Sequence, residues 1–327
     1  VTHLGESPDP ILGCLLGGAL GDALGYATRR HPESAVAQWD PAKPDSLRIS
    51  ARTQLTLYTV DGLTDALEWA NDGVAADETA CLWLAYLRWF RAQGGTPPSS
   101  APVPPLRWID NQAVLHHRRD PDAASAKALG SGEMGSRGRP LNPEAADAGA
   151  AARSAPFGLI PHIAGPLIDR LTMDAAALTH GHPSARHAAA GFSTLIHAVA
   201  VRRLPLDAAV DAAVERVSSS GGPELAAGLV AAAAVPPSRT PDAGSAVAVL
   251  ATAVHAALST QDDDGEVHFR AAVRLAAGRD DGTAASMTGN IVGALHGHLV
   301  LPQEWLGAIE GRDVVIEATR RLAAVTA

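Results

Sequence analysis

Cysteine is almost missing from this chain, with two in 327 residues. Cys14 and Cys81 both sit in apolar stretches of helical spacing, so they read as buried free thiols; a disulfide framework or a Cys-rich metal cluster is excluded. Aromatic residues make up 4% of the chain, and β-branched strand formers are also sparse, which argues against a sheet protein. Positive charge is in deficit: the net charge is −9. A nucleic-acid partner needs clustered Lys and Arg, so none is expected. The basic pairs Arg29-Arg30 and Arg118-Arg119 read as solvated faces. No apolar run reaches the roughly 18 residues that cross a bilayer. The opening residues, VTHLGESPDP, are polar and Pro-rich, unlike a basic-then-apolar leader. A cytoplasmic protein with no membrane partner is the expectation.

Familiar chemical motifs are scarce as well. There is no Gly-x-x-x-x-Gly-Lys run and no Gly-x-Ser-x-Gly elbow. GSGEMGSRG at 130–138 is Gly-rich, but it neither follows a strand nor ends in Lys-Ser/Thr. The histidines are scattered. His296 and His298, two apart near a helix end, cannot face the same side of a helix, which disfavours a zinc pair there.

What is present is alanine, in runs such as AAGLVAAAAV and AVAVLATAVHAAL, within a chain that is 46% hydrophobic. Alanine has the highest helix propensity. The expected fold class is all-α: a single compact multi-helix domain over 1–327, without the fixed internal period of a solenoid. DPILGCLLGGALGDALGYA opens with an Asp-Pro helix start and carries Gly17, Gly18, Gly21 and Gly25, small enough to admit another backbone. TQLTLYTVDGLTDALEWA and ETACLWLAYLRWFRAQGG have helical spacing, the second closed by Gly94-Gly95. Residues 96–105, TPPSSAPVPP, form a Pro-rich surface loop. Residues 120–152 show no clean period and read as an irregular loop region. Helices resume after 156, and the C-terminal stretch breaks at Gly311.

Several segments in order along nearly the whole chain carry a likeness to a known group: ILGCLLGGALGDALG, THGHP at 179–183, RSAPFGLIP, and GRDDGTAASMTGNIVGALHG followed by LPQEWLGAIEGRD. Together they are similar to the ADP-ribosylglycohydrolase family. The resemblance implies an all-α fold and cleavage of a glycosidic bond at ADP-ribose, assisted by two Mg²⁺ ions, hard cations that take oxygen ligands. It also implies two sources of those oxygens: a Ser/Thr-Asp-Asp-Thr run before the second long helix and an Asp-x-Asp-Ser/Thr run before a late one.

This sequence departs from both runs. The first reads Ser50-Ala51-Arg52-Thr53, with neither aspartate. The second reads Asp280-Asp281-Gly282-Thr283, with glycine at the second acidic place. A glutamate common in the family's first helix is replaced by Arg29. Arginine stays protonated and repels a dication, so no metal ligands are assigned and the two Mg²⁺ are expected to be lost. Asp22, Asp280 and Asp281 remain as acidic remnants of a catalytic site. Ser50 and Thr53 fit the N-terminal cap of a helix beginning near Gln54, and Asp280, Asp281 and Thr283 fit that of the late helix. A more specific expectation pairs Arg52 or Arg29 with Asp280 or Asp22, a salt bridge in place of the metals.

The ligand side is implied by the same resemblance. His180 of THGHP matches a position facing ADP-ribose, although a histidine before His-Pro also suits a helix cap. Gly149 and Arg153 match a segment that presents backbone N–H groups to a diphosphate, here with Glu144 and Asp147 added. Ser50, Arg52 and Thr283 complete the candidate ligand-binding set. Three functions stay open: a non-catalytic binding or regulatory protein for ADP-ribose, a related nucleotide or a protein partner; an active hydrolase with a metal-independent or relocated site; and a structural or assembly protein.

Overall fold

The computed structural model describes residues 7–30, 47–234, 244–278 and 282–327. Among them the all-α expectation holds: there are helices and short 3-10 turns, and the extended pairing consists of two isolated bridges, Leu47 with Ile309 and Asp147 with Ser245.

Helix α1, Pro10–Arg30, starts where the Asp-Pro signal places it. Asp9 Oδ1 accepts from the N–H groups of Ile11 at 2.8 Å and Leu12 at 3.1 Å, and Pro10 takes the first helical position, where no N–H is needed. The glycines of α1 face α13, Thr283–His296, which runs antiparallel to it. A Cβ on Gly13 would lie 2.2 Å from the Gly293 carbonyl oxygen, one on Gly17 2.3 Å from that of Gly289, and one on Gly21 2.0 Å from that of Ala285. Backbone therefore packs on backbone over three turns. Each glycine weakens its helix by about 1 kcal/mol relative to alanine, and the close approach offsets that loss.

One sequence expectation is corrected here. By length and hydropathy α1 is sufficient to cross a bilayer, and it is the one such helix among the described residues. Its apolar stretch is 83% buried inside the protein, so it is the central helix of the core.

Helices α2, Ala51–Asn71, and α3, Glu78–Ala92, form a hairpin beside this pair. Helix α3 ends at the expected glycines, with Gly94 at φ +80°. Residues 96–105 are irregular, as expected, and Arg107 beyond them reaches back to α2 through Asp61 at 3.0 Å, Asp65 at 2.8 Å and Glu68 at 2.9 Å. The region 120–152 is not wholly irregular. It contains helix α4, Ala123–Ser131, capped by Asp122 Oδ1 on the Ser125 N–H at 2.6 Å and closed by Gly132 at φ +67°, and helix α5, Gly149–Ala152.

A short α6, Ala155–Gly158, leads into the second half, where α7, Gly165–Ala177, α9, Leu206–Ser219, and α11, Ala246–Ser259, pack around α8, Pro183–Ala200. Helices α10, Pro223–Ala234, and α12, Gly265–Ala277, flank α11. Gly311, at φ +73°, separates α14, Gln303–Ala308, from α15, Arg312–Thr326. Both cysteines are free and buried, and burial pushes their thiols up, Cys81 to about 11, which keeps them uncharged.

Candidate functional site

The N-termini of α2 and α13 meet beside the C-terminal half of α1. Asp22, fully buried on α1, ties that helix to the start of α2. Its carboxylate accepts from the Ser50 N–H at 2.7 Å, Ser50 Oγ at 2.5 Å, Thr53 Oγ1 at 2.6 Å and the Thr53 N–H at 3.3 Å. Orphan donors at the helix start are thus satisfied by an acid from another helix. Ser50 is the N-cap, as the sequence suggests, but α2 begins at Ala51 rather than near Gln54. Asp22 has both oxygens engaged and 0% exposure, so the expectation of a remnant catalytic acid gives way to a capping one.

Arg52 extends from the first turn of α2 toward α13. Its Nε donates to Thr283 Oγ1 at 2.6 Å, and Nη1 lies 3.4 Å from Ser50 Oγ. Thr283 is the first helical residue of α13, preceded by Gly282 at φ +88°; it is an acceptor for Arg52 and not the helix cap. Asp280 and Asp281 lie outside the described residues. The expected pairing with Asp280 therefore also lies outside the described residues; among those described, Arg29 pairs with Asp120, and Arg52 and Asp22 share the Ser50 hydroxyl.

The reading of Arg118-Arg119 as a solvated pair fails for Arg119. Its side chain is 11% exposed, pairs with Glu310 and donates to the Ile49 carbonyl at 3.1 Å, while its own carbonyl accepts from the Ala51 N–H. This pins the segment before α4 onto the start of α2.

Facing Arg52 is a wall from three separate segments: Asp122 before α4, Asp147 and Gly149 at α5, and His180 ahead of α8. His180 is 0% exposed. Its Nδ1 meets Thr179 Oγ1 at 2.7 Å, and its Nε2 lies 2.9 Å from Asp147 Oδ1 and 3.4 Å from Asp122 Oδ1. Burial pushes the Asp147 carboxyl up, but the hydrogen bond and charge of His180 and the Gly149 N–H outweigh it and hold the group at about 2. His180 thus stands under the cleft floor, behind Asp122 and Asp147, and the cap of α8 is His182, whose ring accepts from the Ser184 N–H. Arg153 is also placed behind this wall. It is 2% exposed, donates to Thr179 Oγ1, Ser125 Oγ and the Gly149 carbonyl, and lies over the Tyr86 ring at 4.8 Å. Its guanidinium braces the Gly149 segment from inside the protein.

The cleft, of roughly 320 Å³, has Arg52 and Thr283, the Arg29–Asp120 ion pair, and Asp122, Asp147 and Gly149 around it. The volume falls within the range of small-molecule sites. Asp120 and Asp122 were not singled out by the sequence. The available signal was Asp122 three residues before Ser125 at the head of an Ala-rich stretch, the pattern of a helix start.

A family model described as ADP-ribosylglycohydrolase matches residues 6–327. The chain belongs to the ADP-ribosylglycohydrolase family. A solved structure described as an ADP-ribosylglycohydrolase-related protein complex superposes with a TM-score of 0.64 at 21% identity, covering 98% of this chain and 98% of that one. At that identity the likeness speaks for the fold. No curated protein matches the chain. The cleft of this family member carries a cation, Arg52, at the head of α2, and an acid-lined wall over a buried histidine.

Proposed function

We propose that this chain is a non-catalytic ADP-ribosylglycohydrolase, a binding or regulatory protein that keeps an ADP-ribose-type cleft without the di-magnesium centre. One observation carries the reading: the Arg52 guanidinium is hydrogen-bonded to Thr283 between the heads of α2 and α13. Two Mg²⁺ ions need near-octahedral oxygen shells. Among the described residues of the two runs, Ala51 and Gly282 offer no side-chain oxygen, and the Arg52 guanidinium brings a fixed positive charge to the head of α13, which supports the loss of the two ions.

Arg52 on the cleft wall, beside the Arg29–Asp120 pair, suits an anionic ligand in their place, as guanidinium groups pair well with phosphate oxygens. Calorimetric titration of the chain with ADP-ribose, with and without Mg²⁺, tests this. The expected result is one binding event of equal affinity in both buffers. Tighter binding with Mg²⁺, or hydrolysis that a chelator stops, would overturn the non-catalytic reading; absence of binding would overturn the ADP-ribose cleft and leave a structural role.

A further inference from the structure

On the wall opposite Arg52, Asp122, Asp147 and His180 bring one donor atom each to within 4.8 Å of one another. This is the one such group of three His, Cys, Asp or Glu side chains among the described residues. His180 Nε2 lies 2.9 Å from Asp147 Oδ1 and 3.4 Å from Asp122 Oδ1. Ligands at zinc bond lengths of about 2.0–2.1 Å in a tetrahedron stand about 3.3 Å apart. Both separations therefore match such an edge to within about 0.4 Å.

Gly149 supplies an independent observation. A Cβ there would come within 2.7 Å of His180 Nε2 and 2.9 Å of the Asp122 carboxylate, so any larger residue would fill the space over these donors. The imidazole is also held as a ligand needs to be held. His180 is fully enclosed, its Nδ1 is fixed on Thr179 Oγ1, and Thr179 is in turn held by Arg153. With an ion bound, an Nδ1–H donated to Thr179 would leave Nε2 to the metal, which would displace the proton that Nε2 shares with Asp147.

We propose that Asp122, Asp147 and His180 form a mononuclear zinc-type site whose fourth position opens into the cleft. The imidazole nitrogen selects a transition ion over Mg²⁺, and two carboxylates balance a dication. Asp122 and Asp147 line the cleft, which gives the ion an entry path. The site stands apart from the reading of the cleft as a nucleotide receptor and holds whether or not ADP-ribose binds.

The test is titration of the chelator-stripped full chain with Zn²⁺ against a competing chromophoric chelator, without nucleotide. One equivalent is expected to bind. Asp147→Asn, which keeps the size of the side chain and the far-ultraviolet spectrum, is expected to weaken it by about tenfold or more, and Thr179→Val by about 10–100-fold through loss of the ring's anchor. Failure to retain zinc, or equal retention by the chain and Asp147→Asn, would overturn the site and leave an ordinary His–Asp contact. Co²⁺ on the unmutated chain is expected to give the intense visible absorption of a four-coordinate ion; the pale spectrum of a six-coordinate ion would also overturn it.

Discussion

Arg52 and Asp22 divide the chemistry of the cleft's first wall at the level of single residues. A guanidinium keeps its proton at any pH the fold survives, so Arg52 cannot become a vacant site by titration. Asp22 carries the complementary charge and four hydrogen bonds from Ser50 and Thr53. Asp22→Ala would leave two backbone N–H groups and two hydroxyls unsatisfied in the interior. Bonds to an ionised acceptor contribute about 1.5–3 kcal/mol, and orphaned buried donors add to the loss, so the variant should be about 3 kcal/mol less stable. Urea denaturation, with an unchanged slope and a lowered midpoint, measures it; a loss under about 1 kcal/mol would show that water replaces the carboxylate. Ser50 was legible as a cap because capping depends on neighbours in sequence. Asp22, 28 residues away, was not, because a cap lent by another helix leaves no local signature.

The pairing of α1 and α13 governs the scale of secondary-structure elements. Gly17, Gly18, Gly21 and Gly25 announced a close approach; which helix comes close depended on matching glycines at 289 and 293, more than 250 residues on. Gly289→Ala weighs two effects against each other. Helix propensity gains about 1 kcal/mol, while the new Cβ would lie 2.1 Å from the Gly17 carbonyl oxygen, a backbone atom that cannot rotate aside. Overpacking of this kind costs about 1–3 kcal/mol and more when backbones must part, so a net loss is expected in thermal or urea unfolding. A more stable variant would contradict the packing.

The same helix carries a pH-sensitive contact. His268 on α12 donates from Nε2 to the Ala257 carbonyl at 2.8 Å, and its Nδ1 meets His296 Nε2 of α13 at 2.9 Å. Burial lowers both imidazoles below their usual value, and for His296 the neighbouring His268 adds to it. The unfolded chain therefore binds more protons than the folded one at mildly acidic pH, so this stability is fully present above about pH 6.5 and is lost as the pH falls. Melting temperature should drop between about pH 7.5 and pH 5.5, and drop less in His296→Gln. Equal drops in the two proteins would place the titrating group elsewhere. Elements were legible where a periodic pattern ran long, as in α2 and α3. Helix α4 was hidden because nine Ala-, Gly- and Ser-rich residues offer too few turns for a period to register.

The whole molecule is an all-α domain whose cleft exists only after folding. Asp22, Arg52, Asp122, Asp147, His180 and Thr283 come from six segments, and no local pattern marks them as neighbours. The sequence could place Ala51, Arg52 and Gly282 where the resemblance implies acids, since a missing carboxylate is a statement about one position. It could not show that Arg29 would pair with Asp120, or that Arg153 and His180 would stand behind the cleft wall, because those outcomes depend on burial. The resulting cleft has the Arg52 cation at the head of α2, the Arg29–Asp120 pair on its rim, and the acids Asp122 and Asp147 toward α4 and α5.

The central claim is that Arg52 has displaced a bridged pair of divalent ions, and electron paramagnetic resonance with Mn²⁺ in place of Mg²⁺ tests it most directly, on the chain with saturating ADP-ribose. The account predicts no spin-coupled manganese pair, and at most a single isolated ion at the Asp122–Asp147–His180 wall. The signature of two exchange-coupled Mn²⁺ ions would contradict it.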